Sequence, residues 1–151
     1  DCGYNFRMTD IQAAVGSIQL RKLDAMNQRR IEIADLICEG LEDVPGLTLP
    51  IVQPGNKHVF HLFPLRIDAI EFGMNKDQFI ATMINEHGVK IGTHYIPLHW
   101  STAFQRRGSK RGQFPNAEAI FEQQVTLPMH PRLTNEAVNY LVESIRKCRR
   151  R

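Results

Sequence analysis

The segment from Thr9 to about Asp43 constrains the fold more than any other part of this chain. Apolar residues recur at Ile11, Ala14, Val15 and Ile18, then at Leu23, Met26, Ile33, Ala34, Ile37 and Leu41. That is the spacing of one helix face, and Arg21, Lys22, Arg29, Arg30 and Glu32 fall on a face read as wet. Thr9 with Gln12 matches a capping box, Asp10 adds favourable charge in the first turn, and Pro45-Gly46 ends the helix. Such a helix is too long for a small domain, and elements of that kind often join two domains. The chain therefore divides into an interdomain segment with its long helix, 1–45, and a small domain, 46–151.

The remaining elements are short. Leu47 to Leu49 is extended, and His58 to Ile67 reads as a strand, with Pro64 suggesting an edge or a bulge. Asn75 caps a helix through His87, with Phe79, Ile80, Met83 and Ile84 inside and Gly88 as its stop. Val89 to Thr93 is a short strand, and the polar, basic stretch Gln105 to Gln113 reads as a mobile loop. Pro115 opens a third helix with Ala117, Ile120 and Phe121 inward, Val125 to Leu127 is a strand, and Thr134 caps a last helix. Few strands and mixed connections favour a two-layer α+β domain, a small antiparallel or mixed sheet covered by helices on one face.

Composition excludes little but excludes it firmly. No apolar run approaches the 18 or so residues of a membrane-spanning helix, and the start at Asp1 has neither initiator Met nor signal-peptide pattern. We read that start as the loss of an upstream segment. Cys2, Cys38 and Cys148 are odd in number and match no metal spacing, which fits reduced thiols and a cytoplasmic protein. The net charge of +3 is mild, although Arg106, Arg107, Lys110 and Arg111 cluster. With no helix-turn-helix, zinc-finger or RNP signature, neither a nucleic acid nor a membrane is the expected partner.

Two stretches are distinctive together. The first is Gly3-Tyr4-Asn5-Phe6-Arg7-Met8-Thr9-Asp10, running on through Gln19-Leu20, Lys22-Leu23 and Arg29-Arg30. The second is His94-Tyr95-Ile96-Pro97-Leu98-His99, with Phe104 and then Leu127-Pro128-Met129-His130-Pro131 behind it. In this order they resemble the back portion of the DegT/DnrJ/StrS aminotransferases, over essentially the whole chain. The resemblance implies the C-terminal small domain of an aspartate-aminotransferase-type fold. It implies pyridoxal phosphate (PLP) as cofactor of the full enzyme, a keto nucleotide sugar and glutamate as substrates, a missing N-terminal large domain and a homodimer. The products of such enzymes feed lipopolysaccharide, other surface polysaccharides or glycosylated metabolites.

The resemblance also assigns roles. Asn5 and Arg7 match the G-x-N-x-R segment, whose Asn reaches the PLP phosphate of the neighbouring subunit; amide and guanidinium groups are good phosphate donors. His94, Tyr95 and His99 match the loop at the mouth of the sugar-nucleotide site. Lys22 and Lys57 sit in contexts unlike the family's Schiff-base lysine, so no catalytic residue is expected here and the isolated chain should be inactive. Other readings stay open. Asn5 is also a plausible turn residue, Arg7 a surface charge, and both loop histidines plain packing residues. The basic loop suits solvent, a diphosphate or a nucleic acid. The whole chain also fits a stand-alone nucleotide-sugar-binding or dimerisation domain. A metal at the loop histidines is disfavoured, since no acidic or Cys ligand is near them in sequence.

Overall fold

The 32-residue helix α1 (Asp10–Leu41) starts where the sequence says, in the computed structural model of the chain, which describes Tyr4 and residues 6–149. Both halves of the Thr9–Gln12 capping box form. Only its last part enters the core, through Ile33, Ala34, Ile37 and Leu41. Ile11, Val15, Ile18, Leu20 and Leu23 on the first half are exposed.

Arg29 and Arg30 are half-buried rather than wet. The Arg29 guanidinium donates to the Leu133 carbonyl at 2.7 Å and to Asn135 Oδ1 at 2.8 Å, and Arg30 donates to the Met129 carbonyl at 3.2 Å. Helical spacing places a charge at a boundary position but not the carbonyls that converge on it.

The elements that follow are β1 (Leu47–Thr48), β2 (Phe63–Ile67), α2 (Ala69–Phe72), α3 (Lys76–Asn85), a single 3-10 turn (Leu98–Trp100), α4 (Thr102–Gln105), α5 (Pro115–Gln123), β3 (Gln124–Leu127) and α6 (Asn135–Arg149). The sheet is antiparallel in the order β1-β2-β3. Phe63, Leu65, Ile67, Val125 and Leu127 turn one face toward α1, α3 and α6, where they meet Phe79, Met83, Val138, Leu141 and Ile145. This is the expected two-layer α+β architecture.

Pro64 lies on the central strand and not at an edge. Its neighbour Thr126 spends both backbone groups on Gly92, donating at 2.8 Å and accepting at 3.0 Å. Pro64 opposite Thr126 is therefore a non-hydrogen-bonded pair, which needs no N–H toward β3. On the other side β1 pairs only with Arg66 and Ile67, so it stops short of Pro64. The proline is tolerated because neither neighbour asks it for a donor.

The remaining departures are local. Residues 58–62 are not strand; the Phe60 amide donates to His58 Nδ1 at 3.0 Å instead. Val89 to Thr93 contributes one isolated bridge, Gly92 to Thr126. Ile84 is exposed, as are Ala117 and Ile120, so α5 buries no residue. The stretch 105–113 is folded as turns, with the Ser109 amide on the Phe104 carbonyl at 3.1 Å and the Gly112 amide on Glu118 at 2.7 Å.

Candidate functional site

The loop from Thr93 to Trp100 leaves the one-residue bridge at Gly92 and ends in the 3-10 turn, with Pro97 buried beneath it. It is anchored at one end by Gln124, whose amide donates to the His94 carbonyl at 2.9 Å. The His94 ring lies over Gly92: a Cβ there would stand 2.7 Å from His94 Cε1. Edge to face with it, 4.7 Å away, is the ring of Tyr95, which is 74% exposed. The His94–Tyr95 peptide is cis.

His99 turns the other way. It is 6% exposed, and its Nε2 meets Glu118 Oε1 at 2.6 Å. Its ring packs edge-on against Phe114 at 4.9 Å and Trp100 at 5.9 Å. The same Glu118 oxygen accepts the Gly112 amide, so one carboxylate joins the histidine loop to the basic loop. The hydrogen bond from His99, aided by that amide against some burial, holds the Glu118 carboxyl below its ordinary value. Beside it the Arg111 guanidinium stacks 4.1 Å over Trp100.

Two grooves open beside this loop and share His94. One, of about 250 Å³, is lined by Tyr95, Pro97, Ala117, Ile120 and Phe121 among others. The apolar residues expected inside α5 thus line a groove wall. The other, of about 320 Å³, runs past His61, Lys90, Gly92 and Thr126 to Met129. Of the residues singled out from the sequence, the fold brings His94 and Tyr95 together at these grooves and turns His99 toward Glu118. Arg7 is exposed ahead of α1, and Asn5 lies outside the described residues. Glu118, Lys90 and Thr126 carry no sequence signal of their own, since each acquires its setting from residues far along the chain.

The lysines bear on the cofactor question. Schiff-base chemistry needs an amine held within a cavity. Lys76 is the buried one, but its Nζ donates to the Phe121 carbonyl at 2.7 Å and sits 3.9 Å over the Phe121 ring. Lys22, Lys57, Lys90, Lys110 and Lys147 are exposed. Of these, Lys90 lines the second groove. Among them no group of three metal-binding side chains converges, and no helix is long and apolar enough to cross a membrane.

Comparisons with known proteins agree over nearly the whole chain. The family model for DegT/DnrJ/EryC1/StrS aminotransferases matches residues 1–146. The spore coat polysaccharide biosynthesis protein SpsC of Bacillus subtilis is 33% identical over 145 residues, which is 95% of this chain and 37% of SpsC. The structure of DesV from S. venezuelae superposes with a TM-score of 0.87 at 31% identity, covering 99% of this chain and 38% of DesV. The PLP form of Spr1654 from Streptococcus pneumoniae gives 0.84 at 28% identity, over 95% of this chain and 36% of Spr1654. The chain thus spans less than two-fifths of each of these three relatives. With a family model matched over nearly every residue, the chain belongs to the DegT/DnrJ/EryC1/StrS aminotransferase family.

Proposed function

We propose that this chain is the small C-terminal portion of a PLP-dependent aminotransferase that moves an amino group from glutamate to a keto nucleotide sugar, and that it is inactive by itself. The observation that carries this reading is the family match over residues 1–146. SpsC, named for polysaccharide biosynthesis, supports the substrate class, and the PLP form of Spr1654 supports the cofactor. PLP supplies an electron sink for proton movement at the amine-bearing carbon when it is bound by the complete enzyme.

The contributions of this chain are binding and orientation. Asn5 and Arg7 are the phosphate donors offered to PLP across a homodimer. Tyr95, which is exposed, and His94, at the junction of two grooves, present donors to the sugar nucleotide. His99 stiffens their loop through Glu118, so its effect on substrate is exerted through His94 and Tyr95.

The test is made in the full-length enzyme. Tyr95→Phe and His94→Ala are expected to lower kcat/KM by about 10- to 100-fold, the loss of one or two hydrogen bonds to a charged substrate. The 151-residue chain should show no turnover with glutamate and a keto nucleotide sugar. Turnover by the chain alone, or full activity in both variants, would overturn the reading.

A further inference from the structure

The groove between the Lys90–His94 segment and the end of β3 has a feature that the fold does not need. Thr126 Oγ1 and His94 Nδ1 are both buried, and neither has a hydrogen-bond partner in the protein. Both residues line this groove, and Thr126 is 4% exposed. Native structures retain few such groups because leaving them unmade is costly, so two in one groove call for an explanation. Thr126 gains nothing for the sheet from its hydroxyl, since its backbone groups already serve Gly92. Gly92 in turn has no Cβ, and that is what lets the His94 ring lie alongside Thr126's partner residue.

Lys90 lines the same groove beside His61, and no carboxylate does. Leu127, Pro128 and Met129 give it an apolar wall. A hydroxyl donor, an imidazole that donates from Nδ1 in one tautomer, and an ammonium group form a donor set for an oxyanion. The apolar wall accommodates a short carbon skeleton attached to it.

We infer that this groove is an oxyanion subsite, binding a carboxylate or phosphate group at the Lys90 ammonium and, once the His94 ring turns aside, at the Thr126 hydroxyl and the His94 imidazole, whose polar atoms are buried in the free chain. The inference rests on the proposed reading of His94 as a substrate contact, and it adds Thr126 and Lys90 to the residues that hold substrate. The oxyanion comes either from the amino donor's carboxylate or from the sugar nucleotide's phosphate.

The experiment follows the imidazole resonances of His94 and His61 by NMR in the 151-residue chain. Glutamate, inorganic phosphate and a nucleoside diphosphate are titrated separately. A saturable shift at His94 is expected with at least one of them; glutamate alone assigns the amino donor, and the two phosphates without glutamate assign the nucleotide. Thr126→Val keeps the side-chain shape and removes the unpaired hydroxyl, and Lys90→Gln removes an exposed charge. Each should weaken binding about tenfold, the effect of one charge-assisted hydrogen bond. Thr126→Val should melt no lower than the wild type. Absence of a saturable shift with all three probes at tens of millimolar, or unchanged affinity in both variants, overturns the subsite. Two further outcomes separate it from the functional reading. A full-length enzyme impaired by Tyr95→Phe but by neither Thr126→Val nor Lys90→Gln keeps that reading and sinks the subsite. Glutamate or phosphate binding that both variants weaken, in a 151-residue chain that by itself turns over glutamate and a keto nucleotide sugar, keeps the subsite and sinks the reading.

Discussion

Glu118 shows how much one side chain can be asked to do. Its carboxylate receives the His99 ring and the Gly112 amide, and the first of these contacts is the main reason its pKa is lowered. A carboxyl with a lowered folded pKa stabilises the fold above its unfolded value, about 4.3, and that stabilisation is lost as pH falls through the folded value. Glu118→Gln should therefore melt below the wild type at neutral pH, with the gap closing below about pH 4 in thermal scans. The same variant should free the basic loop, so tryptic cleavage at Arg106 to Arg111 should quicken about tenfold. Gly92→Ala tests the other end of the loop. Its Cβ would strike the His94 ring, which is the movable end of a side chain, so the cost in stability should stay near or below about 1 kcal/mol. Activity of the full-length enzyme should fall all the same, because the ring must leave its place.

The contact between α1 and α6 is set by Gly40. A Cβ there would stand 2.7 Å from one methyl of Val142 and 3.0 Å from the other. Gly40→Ala brings about 0.5–1 kcal/mol of helix propensity, but overpacking against a stiff β-branched side chain costs about 1–3 kcal/mol. The packing term wins, and chemical denaturation should show a net loss of about 1 kcal/mol. Arg29→Ala removes the two hydrogen bonds from α1 to the start of α6 and should cost about 1–3 kcal/mol by the same measurement. Elements with caps were legible: Thr9, Asn75 and Thr134 mark helix starts because their side chains satisfy local amides, whatever else packs nearby. The helix α2 leaves no periodic signal in the sequence because it has only four residues between the Asp68 cap and Gly73. The expected strand over His58 to Ile67 is longer than β2 because His58 to Leu62 is apolar and aromatic without being paired.

Across the whole molecule the apolar surface is unevenly distributed. Ile11, Val15, Ile18, Leu20 and Leu23 on α1, with Tyr4, Phe6 and Met8 before it, remain exposed, while the other end of the same helix is in the core. A run of exposed apolar residues of this kind marks a surface that meets another protein surface. We propose that the large domain and the dimer partner of the full enzyme cover it. The isolated chain should therefore self-associate at high concentration, and a sharp monomer in light scattering would contradict this.

The sequence by itself determined what depends on near neighbours and on long motifs: the helix caps, the α+β class, and membership in the family through the Gly3–Asp10 and His94–His99 stretches. It also placed His94 and Tyr95 side by side, since adjacent residues on a loop need no fold to bring them together. Only the tertiary structure decided which half of α1 is buried, why Pro64 is acceptable on a central strand, and that His99 faces Glu118 rather than a groove. It alone brought Thr126 and Lys90 to the groove that His94 lines. The physical reason is common to all of these. A hydrogen bond or a buried contact between residues far apart in the chain is specified by the packing of whole elements, and no local pattern of residue types encodes that distance.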